Sequence, residues 1–218
     1  MRRERNRLQR NLTVPLAAIA LLAGSCATTG INRGDFNLIS HQQEWQLGNQ
    51  LEEDLAKELD LVQNPEAQRY LDDVGRKLVA QTQLRELPWK FHIVRDDAVN
   101  AFNIPGGHVY VNTGLVRAAD SAAEFVGVLA HEVAHGVARH GTEQMSKAHG
   151  ANIVAGLVLG ENPETYEKIL AQLAAGGAFA HFSRDAEREA DGLGVRYMYE
   201  AGYDPGGMAR FFSELLER

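Results

Sequence analysis

Several features that define whole classes of protein are missing from this chain of 218 residues. Cys26 is its one cysteine, so an intrachain disulfide is excluded. The apolar run at residues 153–159 is too short to span a bilayer, which takes about 20 residues, and is expected in a core. The net charge is −7 and no basic stripe follows residue 10, so nucleic-acid binding is not expected. Internal repeats and low-complexity segments are also absent.

The first 25 residues have the form of an export signal, with an arginine-rich start and a short apolar stretch at residues 12–23. Residues 23–26 resemble a bacterial lipoprotein box, in which the cysteine becomes the lipidated first residue. Cys26 is therefore the predicted lipidation site and membrane anchor, followed by a tether over residues 26–39. Ala27, by resemblance to lipoprotein sorting, favours the periplasmic side of the outer membrane. The alternatives are an ordinary signal peptide with an incidental cysteine, which would leave a secreted or soluble periplasmic protein, and an uncleaved anchor.

Residues 131–135 read His-Glu-Val-Ala-His, and this pentapeptide carries most of the functional information. Residues four apart lie on one face of a helix, so the imidazoles of His131 and His135 can point at the same place. Two imidazoles so spaced make half of a tetrahedral zinc site. Glu132 beside them can act as general base toward the attacking water. The competing interpretation is a core helix with incidental histidines.

The surroundings of the pentapeptide favour the metal. Asp120 or Ser121 can cap a helix, with Glu124 placed as in a capping box, and Gly141 is a plausible stop. Burying two histidines and a glutamate without partners would cost free energy that a metal removes. The apolar residues recur with helical periodicity, at Phe125, Val128, Leu129, Val133 and Val137.

A catalytic zinc site needs a third protein ligand. His140 is near, but the glycine spacing of the close third-histidine pattern is missing. Glu187 and Asp191 are four apart on a second predicted helix and share a face, which suits a glutamate ligand and an aspartate that orients a ligating histidine. The alternative for this segment is a solvated, charged helix.

Three ordered blocks of sequence together resemble the zinc metallopeptidases of the HtpX and CAAX prenyl protease family, over roughly residues 40–218. They are the pentapeptide, the segment Ser-Arg-x-x-Glu-x-x-Ala-Asp at residues 183–191, and residues 100–115, which resemble the strand segment before the zinc helix. The resemblance implies one zinc ion per chain, held by His131, His135 and Glu187, with Glu132 as catalytic base and Asp191 behind the ligands. The family's His-Pro-containing segment beyond residues 208–218 has no counterpart here, so substrate binding is less directly implied than metal binding.

The predicted fold class is α+β and mostly helical, a zincin-like metallopeptidase domain over residues 40–218 with a small sheet of about three strands flanking the zinc helix. Strands are predicted at residues 89–94 and 108–112. Besides the two helices already described, helices are predicted at residues 41–59, 65–82, 144–159, 163–175 and 205–217.

The predicted function is zinc-dependent endopeptidase activity on unfolded or misassembled proteins of the cell envelope. A peptide substrate is expected to add as a strand along a sheet edge, at Asn100, Ala101 and Phe102. His108 and His181 are weak candidates for a second donor to the oxyanion. Two alternatives remain, a non-proteolytic zinc-binding chaperone or assembly factor and a zinc hydrolase that cleaves a cell-wall amide.

Overall fold

Eight helices and a three-stranded sheet make up the part of the chain that the computed structural model describes, namely residue 31, residues 37–175 and residues 182–217. The predicted signal, Cys26, most of the predicted tether and His181 lie outside these residues. The helices are α1 His41–Glu58, α2 Pro65–Val79, α3 Thr113–Ala118, α4 Ala122–Ala138, α5 His140–Val158, α6 Pro163–Ala174, α7 Arg184–Glu200 and α8 Gly206–Glu217. The strands are β1 Lys90–Val94, β2 Ala101–Ile104 and β3 His108–Asn112. The predicted α+β class is confirmed.

The sheet has the order β1-β3-β2, with β1 parallel and β2 antiparallel to β3. Side chains alternate between the two faces of a strand, so each face meets a different set of helices. Val109 and Val111 of β3 lie in a core with α2 and α4. Tyr110 lies in a second core with Leu51 of α1 and parts of α5 and α6. The sheet therefore separates α4 from α1.

Helix α4 is buried on almost every side, as expected of a helix that is apolar all round. Ser121, one of the two predicted caps, is the N-cap, and its side chain accepts a hydrogen bond from the Glu124 backbone N–H. The predicted stop at Gly141 is wrong, because Arg139 adopts the left-handed conformation with φ 59° and begins a new helix at His140. Arg139 is held there by Glu44 of α1, at 2.5 Å, a contact between distant residues that no local pattern indicates.

The remaining predicted elements are present with small shifts at their ends. Helix α2 ends three residues early, and α7 runs to Glu200, well past the segment 183–191 that predicted it. Helix α3 was not predicted, and β2 is the third strand. Ile39, the last residue of the predicted tether, is buried in the second core. Among the described residues, no helix combines the length and apolar character needed to cross a membrane.

Candidate metal centre

The imidazoles of His131 and His135 meet on one face of α4, as their spacing predicts. Both side chains are buried, and their Nε2 atoms are 2.9 Å apart. Two imidazole nitrogens at this distance repel each other unless a proton or another cation lies between their lone pairs. The geometry therefore creates a place for a cation between the two rings.

Glu187 comes to this place from α7. Its carboxylate oxygens lie 3.4 Å from His131 Nε2 and 3.8 Å from His135 Nε2. Zinc bonds of about 2.0 Å in a tetrahedron put neighbouring ligand atoms about 3.3 Å apart, which the observed separations bracket. Two imidazole nitrogens and a carboxylate oxygen are also the donors that a catalytic zinc prefers. The residues present thus fit a zinc ion, and they are among the groups of the described chain that could hold a metal.

Asp191 lies one turn beyond Glu187 on α7. Its Oδ1 is 2.9 Å from His131 Nδ1, the nitrogen that faces away from the centre. A carboxylate there fixes the ring orientation and keeps Nε2 free to bind metal. The contact that the predicted role of Asp191 requires is therefore present.

Close packing of α7 on α4 brings these carboxylates to the histidines. A side chain at Gly194 of α7 would place its Cβ 3.2 Å from the His131 backbone nitrogen and 2.6 Å from Met208 Cε. Glycine therefore permits an approach that any larger residue would obstruct. Glu187 remains 44% exposed, so the centre is open to solvent on the α7 side.

The electrostatics of the centre favour a bound cation. Burial disfavours protonation of His131, but its hydrogen bonds with Asp191 and Glu187 outweigh this and raise its pKa to about 10. Burial, together with the nearby His131 and His140, lowers the pKa of His135 to about 2. The histidine pair therefore carries one positive charge at neutral pH, which a bound divalent ion would replace.

Glu132 lies beside this pair, and burial raises its pKa to about 7, with the charge of Glu187 acting in the same direction. The Asn103 side-chain amide of β2 donates a hydrogen bond to the Glu132 backbone carbonyl at 2.8 Å. Strand β2 is thereby held against the zinc helix at the residue predicted to act as base. Asn103 was not identified from the sequence, because it acts through a contact with a segment 29 residues away.

His140 was set aside as a third ligand, and the structure places it behind His135 instead. Its Nδ1 is 2.9 Å from His135 Nδ1, and its Nε2 is 3.3 Å from Glu189 Oε2. Burial lowers the pKa of His140, so the neutral ring can accept from His135 and donate to Glu189. Phe182 stacks on His135 with ring centroids 4.2 Å apart. No spacing rule in the sequence connects His140, Phe182 or Glu189 with the metal centre, so these contacts could not be predicted.

The predicted substrate-binding residues and His108 lie outside the metal centre. Ala101 and Phe102 are buried, with 7% and 1% of each residue exposed, so their side chains offer no surface to a substrate. Asn100 directly precedes this strand, which is an edge strand of the sheet. His108, one of the two weak candidates for an oxyanion donor, is buried on the face of the sheet that packs on α1, away from α4.

Comparison with known proteins settles the family. The sequence profile described as peptidase family M48 matches residues 65–217, which include every member of the candidate centre. The chain belongs to peptidase family M48. The metallopeptidase resemblance predicted from the three sequence blocks is thereby confirmed.

Its M48 relatives include bacterial and mitochondrial proteins. The chain is 27% identical to the β-barrel assembly-enhancing protease of Escherichia coli K12, over 97% of this chain and 47% of the relative. It is 32% identical to a putative β-barrel assembly-enhancing protease of Vibrio cholerae, over 72% of this chain and 34% of the relative. It is also 32% identical to the mitochondrial metalloendopeptidase OMA1 of Schizosaccharomyces pombe, over 62% and 40%. The chain thus spans about half or less of the length of these curated relatives.

The contact of His140 with His135 in this M48 chain leads to a prediction about metal affinity. His140→Ala is expected to weaken zinc binding about 10–100-fold, because the ligating ring loses the partner that orients it. His140→Asn is expected to retain more affinity, since its side-chain oxygen can accept the proton of His135 Nδ1. Competition with a chromophoric chelator measures both. Equal affinities in the alanine variant and the parent, with both folded, would show that His140 does not orient the ligand.

Proposed function

We propose that this protein is a zinc-dependent endopeptidase of the cell envelope that hydrolyses peptide bonds of unfolded or misassembled envelope proteins. The observation that carries the proposal is the convergence of His131, His135 and Glu187, whose ligand atoms lie within 4.8 Å of one another. Glu132 stands on the same helix with its pKa raised to about 7. Membership of a peptidase family supports the reaction type.

A zinc ion held by these three residues would supply Lewis-acid activation of a water molecule and of the scissile carbonyl. Glu132 would take the proton from the attacking water and deliver it to the leaving amine. A group with a pKa near 7 can both accept and release a proton at neutral pH, as the two transfers require. Asp191 would hold the ring of His131, and the α4–β2 contact made by Asn103 would hold the backbone at Glu132.

The position of β2 supports an extended substrate. Strand β2 is an edge strand and is attached to α4 at Glu132, so a peptide that paired with its backbone would pass beside the base. Pairing of this kind requires a segment without secondary structure of its own, which favours unfolded protein over folded protein.

The envelope location rests on the sequence and on the relatives. The basic start, apolar stretch and Cys26 support lipidation and attachment to the periplasmic side of the outer membrane. Relatives named β-barrel assembly-enhancing protease match most of this chain and support envelope proteins as the substrate class.

A comparison of substrates tests this proposal. The zinc-loaded protein is expected to cleave an unfolded outer-membrane β-barrel protein about tenfold or more faster than the same protein folded, because only the unfolded form offers an extended segment. Chelation should stop cleavage and zinc should restore it. Peptidoglycan serves as the second substrate. Hydrolysis of peptidoglycan amides without cleavage of the unfolded protein would favour the cell-wall enzyme. If neither peptidoglycan nor the unfolded protein were cleaved but aggregation of the unfolded protein were suppressed, a chaperone would be favoured.

A further inference from the structure

A second cluster of polar side chains, one buried and two half-buried, lies on the face of the sheet opposite α4. It consists of Glu52 of α1, His92 of β1 and His108 of β3, and it will be called the α1–sheet cluster. His92 Nε2 is 3.2 Å from one carboxylate oxygen of Glu52, and His108 Nδ1 is 3.5 Å from the other. No residue of the cluster takes part in the mechanism proposed above.

The histidines of this cluster are short of partners. His108 is 0% exposed, and both of its ring nitrogens lack a hydrogen bond within the described part of the chain. The same is true of His92 Nε2. Buried polar atoms are nearly always paired, so three unpaired ring nitrogens, two of them within 3.5 Å of one carboxylate, call for a physical explanation.

The charges of the cluster leave these lone pairs available. Burial lowers the pKa of His108 to about 4 and also lowers that of His92, so both rings are neutral at pH 7. The cationic partner of Glu52 is the Lys90 ammonium group. Lys90 is 46% exposed and can move its charge into water without burying it elsewhere. The ring of His92 is held by stacking on Tyr110, with centroids 4.6 Å apart.

We propose that Glu52, His92 and His108 form a second binding site, for a divalent transition-metal ion such as zinc. One ligand atom from each residue can be chosen so that all three lie within 4.8 Å of one another. Two imidazole nitrogens and one carboxylate oxygen suit zinc and cobalt, and they do not suit calcium or magnesium, which prefer oxygen ligands. The ion binds one buried nitrogen of each histidine, replaces Lys90 as the partner of Glu52, and links α1 to both parallel strands. Its role is to stabilise the packing of α1 on the sheet.

Counting metal ions in matched variants of the full chain tests the proposal. After loading with zinc and removal of free ion, the parent is expected to hold about two ions per chain and Glu52→Gln about one. His135→Ala should also hold about one, and the double variant none. Glu52→Gln should keep its peptidase activity, and its melting temperature should rise less with added zinc than that of the parent, because only the catalytic centre still binds the ion. Cobalt can replace zinc as a spectroscopic probe, since four-coordinate cobalt absorbs strongly in the visible. The absorbance of the cobalt-loaded protein should fall by about half in Glu52→Gln and in His135→Ala.

Lys90→Met provides a second, independent variant. It removes the competing charge from an exposed position, so zinc should bind the α1–sheet cluster several-fold more tightly than in the parent. His149→Ala removes an exposed histidine outside both sites and should leave the number of bound ions per chain unchanged. The second site would be overturned by three results together. The parent would hold one ion, His135→Ala would hold none, and Lys90→Met would bind zinc no more tightly than the parent. Those results would leave the proposed peptidase intact, and loss of peptidase activity alone would leave the second site intact.

Discussion

Glu132→Gln is expected to lower the rate of peptide hydrolysis about 10²–10⁴-fold while the metal stays bound. The amide has nearly the shape of the carboxylic acid but cannot accept the proton of the attacking water. His131, His135 and Glu187 are unchanged by the substitution, so the ligand set remains complete. The measurements are kcat/KM on an unfolded fluorescent protein substrate and zinc content per chain.

A matched control is available on α6. Glu164→Gln makes the same chemical change at an exposed position and should leave both the rate and the zinc content unaltered. Full activity in Glu132→Gln would remove Glu132 from the role of base. Loss of zinc together with activity would instead assign it a part in building the centre.

His135→Ala is expected to remove about one zinc ion per chain relative to the parent and to reduce peptide hydrolysis to background. The ring is buried, and its Nε2 faces both His131 and Glu187, so its loss leaves two ligands around the ion. Because the ring also stacks on Phe182, some loss of stability is expected as well. Zinc content, activity and the melting temperature of the metal-free protein separate these effects.

His149→Ala is the corresponding control, since it deletes an exposed imidazole from α5. A folded His135→Ala protein that retained the parent's zinc content would exclude His135 as a ligand. Reduced zinc in the control variant as well would mean that the loss is not specific to the candidate centre.

Local signals in the sequence predicted much of the fold. Strand β3 has its predicted bounds, and α1 and α6 start where they were expected. Ser121 caps α4 because its side chain reaches a backbone N–H only three residues away. The end of α4 at Arg139 was not predicted, because the left-handed conformation of Arg139 is stabilised by Glu44 of α1, 95 residues earlier. An interaction between segments so far apart leaves no periodicity to detect.

In the candidate metal centre, too, some features follow from local sequence and others from tertiary packing. By itself, the sequence determined that His131, Glu132 and His135 would share a helix and that both imidazoles would face one side, because the pitch of a helix is set by its own backbone hydrogen bonds. Tertiary structure alone decided that Glu187 and Asp191 would arrive at those rings, through the close approach of α7 at Gly194. It also decided that His140 and Glu189 would stand behind His135, and that Glu52 would meet His92 and His108 across the opposite face of the sheet. These contacts depend on how helices pack after they form, and packing is a property of the whole core that no single segment contains.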